Sequence, residues 1–396
     1  MGSADSIDAP ADAGLRRATL SVYAVFFGAG FAFASWASRI PQVRDGLHLS
    51  PASLGLLLLS IAGGSIVALP LAGMVVARLG AARTITVMAV VTAGGLAIAA
   101  VGLRFGVAPV VAGLILLGAG NGTWDVAMNV EGAFVEQRLA RSIMPRFHAG
   151  FSIGTVAGAL LGAGMVLAGV SVTVHLLIVA ALIACTVPWA VRWFLTVTAP
   201  AHHGDEPTGH PLAAWKEPRT LVLGLLVFCM AFIEGTGNDW LGVAVIDGYD
   251  ASPAVGSLTL GIFLGAMTTG RWFGPALLDR FGRVASVRGS GILACVGLLL
   301  VVFAGSLPLA MAGAVLWGLG GALGFPVGMS AAAGDSQNAA GRLSVVTSIG
   351  YTAFLAGPPF VGLLGNHVGT LHSLLAVAGV ASIAVVVSGV LAPRPT

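Results

Sequence analysis

The amino-acid sequence predicts an all-α membrane protein with twelve transmembrane helices in two pseudo-symmetric six-helix bundles. The first observation is composition: 57% of the 396 residues are hydrophobic and only 9% are charged. A soluble domain carries about 25% charged residues, so a water-soluble globule of this size would lack the charge needed to cover its surface. The second and third observations are the number of apolar stretches and a resemblance between the two halves of the chain.

Twelve apolar stretches are each long enough to span a bilayer, which takes about 20 residues. They cover residues 18–38, 53–77, 84–103, 108–136, 147–169, 173–195, 220–246, 254–278, 285–305, 308–332, 343–366 and 371–391. The longest polar interruption contains four prolines and three histidines; its proline content favours a solvated linker over a metal site. The resulting division is a tail at 1–17, a bundle at 18–197, a cytoplasmic linker at 198–219, a second bundle at 220–392 and a tail at 393–396.

The distribution of arginine and lysine predicts the orientation of the chain. Only Arg39, Arg44 and Arg104 lie in the odd-numbered connections, and Arg271 lies inside the eighth stretch. The remaining basic residues lie in the tails and the even-numbered connections. Because basic residues are enriched in cytoplasmic loops, we expect both termini to be cytoplasmic. The net charge of +3 is scattered, which excludes the basic patch of a nucleic-acid-binding protein.

The two halves of the sequence share several short patterns. The matched positions are Ser50-Pro51-Ala52 with Ser252-Pro253-Ala254, Arg78 with Arg280, Gly80 with Gly282, and Trp36 with Trp240. Duplicated six-helix units are typical of transporters that alternate access, with the substrate site near the membrane midplane.

One of these patterns resembles the cytoplasmic signature of the major facilitator superfamily. Residues 279–283, Asp-Arg-Phe-Gly-Arg, match it well, whereas the first copy has Ala77 where the acid normally stands. Segments 35–39, 129–133, 234–241 and 323–326 are similar to the bacterial YbjJ-like branch and, more distantly, to the fucose permease group. The resemblance implies a transporter of a small polar or sugar-like solute in the bacterial inner membrane, with gating roles for Arg78, Asp279 and Arg280.

The fourth apolar stretch contains two acids that are candidates for chemistry. An ionisable side chain in hydrocarbon costs several kcal/mol, so it is a functional candidate by default. Asn121, Asp125 and Asn129 follow at i, i+4 and i+8 and share one helical face, which predicts that this face lines a cavity, with Trp124 beside it. Asp125 is then a proton carrier, or a carboxylate hydrogen-bonded within its half. Glu131 points elsewhere, either coupling protons or pairing with an arginine.

The seventh stretch contains the other two acids. Glu234 and Asn238 share a face, and Gly235 and Gly237 loosen the helix, a pattern that points to a binding site. Glu234 is the first candidate for proton coupling in this half. Asp239, next to Trp240, is a candidate for coupling, gating or hydrogen bonding.

The remaining candidates are a cation, tryptophans and glycines. Arg271 needs an anion. We favour a structural role, in which it pairs with an acid of the seventh stretch or belongs to a network toward Asp279, over recognition of an anionic substrate. Trp36, Trp124 and Trp240 are candidate aromatic surfaces of a cavity, although tryptophan is also a common interface anchor. The fifth apolar stretch contains four glycines at intervals of four residues, a spacing that indicates close helix packing: Gly150, Gly154, Gly158 and Gly162.

These observations predict a monomeric secondary transporter that moves a small polar or sugar-like solute with protons. No catalytic set, cofactor motif or metal-ligand spacing is visible in the sequence, so an enzyme is not expected. Two alternatives remain: proton-driven efflux of an amphipathic metabolite or drug, and a transporter-like receptor that binds without flux.

Overall fold

A computed structural model describes residues 9–139, 143–195, 213–333 and 339–392 of the chain. The predicted tails up to residue 8 and at 393–396, and residues 198–212 of the predicted linker, lie outside this part. The described residues form α-helices, three short 3-10 helices and turns, with no β-strand among them. The α-helices are α1 (Ala9–Ala37), α2 (Ile40–Gly46), α3 (Pro51–Leu79), α4 (Ala81–Gly102), α5 (Val107–Leu139), α6 (Met144–Leu167), α7 (Val172–Ala190), α8 (Pro218–Tyr249), α9 (Pro253–Phe303), α10 (Leu307–Gly321), α11 (Gly324–Ala333), α12 (Ala339–Val368) and α13 (Thr370–Val387).

Eleven helical segments of the described part are long and apolar enough to cross a membrane. The longest, α9, has 51 residues and consists of two helices that meet at a kink at Gly282. It joins the stretches 254–278 and 285–305, which the sequence predicts as two spans. The all-helical membrane architecture is therefore confirmed, and the eleven segments match the predicted stretches with the eighth and ninth joined in α9; the count of twelve spans stays a prediction.

The long helix α9 is interrupted at one residue. Gly282 has φ 76° and ψ 167°, a conformation that a residue with a Cβ atom rarely adopts. Gly80, its repeat counterpart, has nearly the same conformation, with φ 77° and ψ 161°, and precedes α4. The two copies of the signature therefore share one backbone geometry, which requires glycine.

The described residues group into two compact units. The first contains residues 9–39 and 60–195, and the second contains residues 40–59 and 213–392. A segment of 20 residues that the sequence assigns to the first half, comprising α2 and the beginning of α3, thus belongs to the second unit.

In the first unit, α6 packs closely on α1 through its glycines. A Cβ atom at Gly154 would collide with the carbonyl oxygen of Phe27, and one at Gly158 would lie 2.6 Å from that of Phe31. At Gly150 the nearest atom would be Cδ1 of Tyr23, at 3.3 Å. Small residues along one helix face allow this approach, so these glycines hold α1, and with it the Trp36 segment, against α6.

In the second unit, aromatic packing holds α8 in place. The indole Nε1 of Trp317 in α10 donates a hydrogen bond of 3.2 Å to the carbonyl oxygen of Ile233. The Trp317 ring also packs edge-on against Phe263, with centroids 5.4 Å apart, and Phe263 fills the space beside Gly237. These contacts fix the stretch of α8 that carries Glu234, Asn238 and Asp239.

Candidate functional site

In the first unit, polar side chains share one face of α5. The amide Nδ2 of Asn129 donates to the backbone oxygen of Asp125 at 2.8 Å and to its carboxylate Oδ1 at 3.3 Å. Asp125 is half-buried, and no cation pairs with it within the described residues. One turn earlier, the buried Oδ1 of Asn121 has no hydrogen-bond partner there either. The i, i+4, i+8 spacing therefore places a carboxylate between two amides, as expected.

Glu131 lies on a different side of α5 and has a structural contact. It is buried, and its Oε1 accepts a hydrogen bond of 3.2 Å from the backbone N–H of Leu195. The partner is a backbone group just after the 3-10 turn Val191–Trp193, where the sequence suggested an arginine. Glu131 thereby ties α5 to the end of the sixth apolar stretch.

In the second unit, Glu234 of α8 and Arg271 of α9 form an ion pair. The distance from Nη2 of Arg271 to Oε1 of Glu234 is 2.7 Å, with side-chain exposures of 30% and 16%. The Nε of Arg271 also points at the carbonyl oxygen of Ala322, at 3.5 Å. Arg271 thus has the acid of the seventh stretch as its partner, and no ion pair among the described residues joins it to Asp279, which is exposed. Of the two structural alternatives, the pairing with an acid of the seventh stretch is the one formed among the described residues.

The next turn of α8 carries polar groups that lack partners. The buried Oδ1 of Asn238 has no hydrogen-bond partner in the described part of the chain. Asp239 is half-buried, and the same part provides neither a hydrogen bond nor a cation for its carboxylate. Glu234 is paired with the guanidinium of Arg271, whereas Asp239 has no cation among the described residues. The two acids of α8 therefore differ in whether an ion pair compensates their charge.

The three candidate tryptophans are packed in the interior. Trp36, Trp124 and Trp240 are all fully buried, and the indole Nε1 of each has no hydrogen-bond partner among the described residues. Trp124 packs toward α1, with Cη2 3.6 Å from the position of a Cβ atom at Gly28. The rings are enclosed between helices in this structure, and their role in lining a cavity stays a prediction.

The signature residues lie at exposed helix ends. Arg78, Asp279 and Arg280 are exposed, and none of them forms an ion pair within the described ranges. The guanidinium of Arg280 lies 5.3 Å from the ring centroid of its neighbour Phe281. These positions present their charges to solvent in this conformation.

Two arginine contacts were not predicted from the sequence. Arg39 is buried; its Nε donates to Nδ1 of His175 at 2.9 Å and its Nη2 to the carbonyl oxygen of Val170 at 3.0 Å. Arg44 forms an ion pair with Asp247. Both arginines were counted only as loop charges, and the sole signal for the first contact was a lone histidine in an apolar stretch.

Comparison with known proteins identifies the family. Residues 18–284 match the sequence profile of the Major Facilitator Superfamily. An uncharacterised transporter of the MFS type from Yersinia pestis is 31% identical over 351 residues, or 88% of each chain. The nucleoside transporter NupG has a similar structure, with a TM-score of 0.74, 16% identity, and coverage of 95% of this chain and 99% of that one. The fucose:proton symporter FucP of E. coli, at 16% identity, has a TM-score of 0.65 and coverage of 95% and 98%.

The relatives and fold neighbours are membrane transporters and not enzymes. Together with the many apolar helices, this similarity shows that the chain is a multi-pass membrane protein of a kind that binds small molecules. By the profile match over most of its length and by its identity to the Yersinia transporter, the chain belongs to the major facilitator superfamily.

Proposed function

We propose that this protein is a secondary active transporter that moves a small polar or sugar-like solute together with protons, by alternating access, across the bacterial inner membrane. The observation that carries the proposal is that each unit has a half-buried aspartate, Asp125 and Asp239, that forms no ion pair among the described residues. Among the fold neighbours, NupG is named for nucleosides and FucP for fucose and protons, and both names agree with this class of solute.

The contacts of the four interior acids divide them into two kinds. Glu131 holds the backbone N–H of Leu195, and Glu234 holds the guanidinium of Arg271. Asp125 accepts a hydrogen bond from the amide of Asn129 and interacts electrostatically with His148 without forming an ion pair, and Asp239 has no partner within the described residues. A charged carboxylate in the membrane interior costs several kcal/mol unless it is compensated, and taking up a proton removes that cost. Asp125 and Asp239 are thus the proposed proton carriers, and the two glutamates hold the helices around them.

Unsatisfied hydrogen-bonding groups support a polar solute. The amide oxygens of Asn121 and Asn238, and the indole N–H groups of Trp36, Trp124 and Trp240, are buried without partners in the described part of the chain. Each such group costs about 1–3 kcal/mol when it stays unpaired. A solute with several hydroxyl groups both donates and accepts hydrogen bonds, so it can satisfy both kinds of group.

The proposed topology has twelve spans with both termini in the cytoplasm. Helix α9 then crosses the membrane twice and turns at Gly282, as the chain turns at Gly80 between α3 and α4. The arginine distribution supports the orientation. In this arrangement one proton that moves through 100 mV releases about 2.3 kcal/mol, enough for tens-fold accumulation of solute at about 1.4 kcal/mol per decade.

The test is flux in liposomes that contain the purified full chain and a pH-sensitive dye. Fucose, other hexoses, pentoses and nucleosides are added outside one at a time, and entry of a solute with protons acidifies the lumen. We expect acidification with at least one solute, its loss in Asp125→Asn and in Asp239→Asn, and normal activity in Asp250→Asn, which removes an exposed carboxylate of the same helix region.

Three outcomes contradict the proposal. Normal acidification in both interior variants refutes the assignment of the carriers. Solute binding, measured by thermal stabilisation, without flux favours the receptor alternative. Proton movement opposite to the solute, seen as alkalinisation of the lumen when an amphipathic compound enters, favours efflux.

A further inference from the structure

His148 lies near the beginning of α6, in the first unit, and its ring packs on an aromatic cluster. The imidazole packs edge-on against the ring of Phe26 in α1, with centroids 5.2 Å apart. Phe26 is buried and stacks in turn on the buried Phe147, with centroids 5.7 Å apart. His148 itself is exposed. The imidazole is therefore supported by buried aromatic rings and is still accessible to water.

A backbone contact determines which ring nitrogen of His148 can accept a proton. The Nδ1 atom lies 3.1 Å from the carbonyl oxygen of Met144, one turn earlier in α6. Because a carbonyl oxygen only accepts hydrogen bonds, Nδ1 carries the hydrogen of the neutral ring and donates it. Nε2 then has the lone pair, and no group in the described part of the chain is bonded to it. Nε2 is thus free to take up a proton.

The packing of α6 beside α5 places His148 between Asp125 and the predicted cytoplasmic end of the bundle. A Cβ atom at Gly132 in α5 would lie 2.8 Å from Sδ of Met144 and 3.3 Å from Cδ2 of Phe147, so these residues are level along the two helices. Asp125 lies seven residues before Gly132, which is about 10 Å at the rise of an α-helix. His148 lies one to four residues beyond the level of Gly132, so it differs from Asp125 by about 5–9 Å along the helices.

Asp125 and His148 interact across this gap without touching. The charge of His148 acts on the carboxylate of Asp125, although the two groups do not form an ion pair. The side-chain hydrogen bond of Asp125 comes from the amide of Asn129, at 3.3 Å, and an amide is a donor and acceptor of hydrogen bonds with no titrating proton. A proton that leaves Asp125 toward His148 therefore passes through water.

Two other titratable groups lie at this end of α6. Tyr23 in α1 packs on Phe147, with ring centroids 4.8 Å apart. Glu136 in α5 accepts the first two backbone N–H groups of this region at its Oε2, at 2.6 and 2.7 Å. Of the three groups, His148 is the one that interacts with Asp125 among the described residues.

We propose that His148 is the proton relay of the first unit and carries protons between Asp125 and the cytoplasmic solution. Protonated Asp125 gives the hydrogen of its carboxyl O–H bond to a water molecule, and that water gives a proton to Nε2 of neutral His148. The products are a carboxylate and an imidazolium, and the imidazolium then releases its proton to cytoplasmic water. Histidine has the right chemistry because imidazole changes its charge between about pH 5 and 8. The inference rests on the proposed function, in which Asp125 carries the proton.

The experiment follows the protonation of Asp125 and needs no solute. The full chain in lipid nanodiscs receives a pulse of protons from a photolysed caged acid, and time-resolved infrared spectroscopy records the C=O bands of protonated carboxyl groups. The band that is missing in Asp125→Asn belongs to Asp125. We expect His148→Gln to slow the rise of this band by about tenfold or more, because a positioned group that transfers a proton speeds the step by about 10²–10⁴-fold. Added imidazole is expected to restore the fast rise in His148→Ala, which leaves space for the free base.

Two controls make the result specific. Glu136→Gln keeps an oxygen that accepts the backbone N–H bonds but cannot take up a proton, and it is expected to leave the rate of the Asp125 band unchanged. The melting temperatures of both His148 variants are expected to equal that of the native chain, because His148 is exposed. A slow rise of the band then reports on proton transfer and not on unfolding.

A native rate in His148→Gln would overturn the relay. A slow rise that imidazole does not restore in His148→Ala would also overturn it, because the role of His148 would then be structural. If no band is missing in Asp125→Asn, then Asp125 takes up no proton, and both the relay and the carrier role of Asp125 fail.

The relay and the proposed function can fail separately. Proton-coupled flux of fucose or a nucleoside in liposomes, without the infrared effect, removes the relay and leaves the proposed function standing. The infrared effect without flux of any tested solute supports proton transfer from His148 to Asp125 and counts against transport.

Discussion

The ion pair between Glu234 and Arg271 gives the sharpest energetic prediction. Arg271→Gln leaves the carboxylate of Glu234 half-buried without its guanidinium. At 2.7 Å and an effective dielectric constant of about 20, the attraction between unit charges is about 6 kcal/mol. Desolvation of both groups offsets much of this gain, and the exposures of 30% and 16% leave some solvent screening. We therefore expect a coupling energy of about 1–3 kcal/mol.

The assay is a double-mutant cycle on thermal stability in one detergent. The four proteins are the native chain, Arg271→Gln, Glu234→Gln and the double variant, with Arg271→Lys as a control that keeps the positive charge. The double variant should be more stable than Arg271→Gln alone, because it removes the unpaired carboxylate. Additive losses in the two single variants would show that the 2.7 Å contact carries no net energy, and would refute the reasoning.

Three further predictions concern single positions. Gly154→Ala should destabilise the protein by about 1–3 kcal/mol through overpacking, whereas Gly164→Ala, on the same helix with open space around it, should be neutral or stabilising; equal melting temperatures would contradict this. Glu131→Gln should retain stability because an amide oxygen still accepts the N–H bond, whereas Glu131→Ala should lose about 1–3 kcal/mol in thermal unfolding. His175→Ala, which removes the acceptor of a buried guanidinium, should cost about 1.5–3 kcal/mol in the same assay, and unchanged stability would contradict this.

Features with a local cause could be predicted from the sequence. Asn121, Asp125 and Asn129 share a face because helical periodicity alone places them there, and the structure adds the hydrogen bond between the last two. Gly80 and Gly282 have the same backbone conformation, as their positions in the repeat suggest. The predicted break between the stretches 254–278 and 285–305 coincides with the kink in α9, where the non-helical Gly282 joins two helices without a loop.

Features that depend on distant partners could not be predicted. Arg39 and His175 are 136 positions apart, and Arg44 and Asp247 are 203 apart. Residue type says that a buried cation needs an acceptor, but only the packing of the helices selects which one. The same limit applied to Arg271, because the sequence did not decide whether its partner is an acid of the seventh stretch or a network toward Asp279.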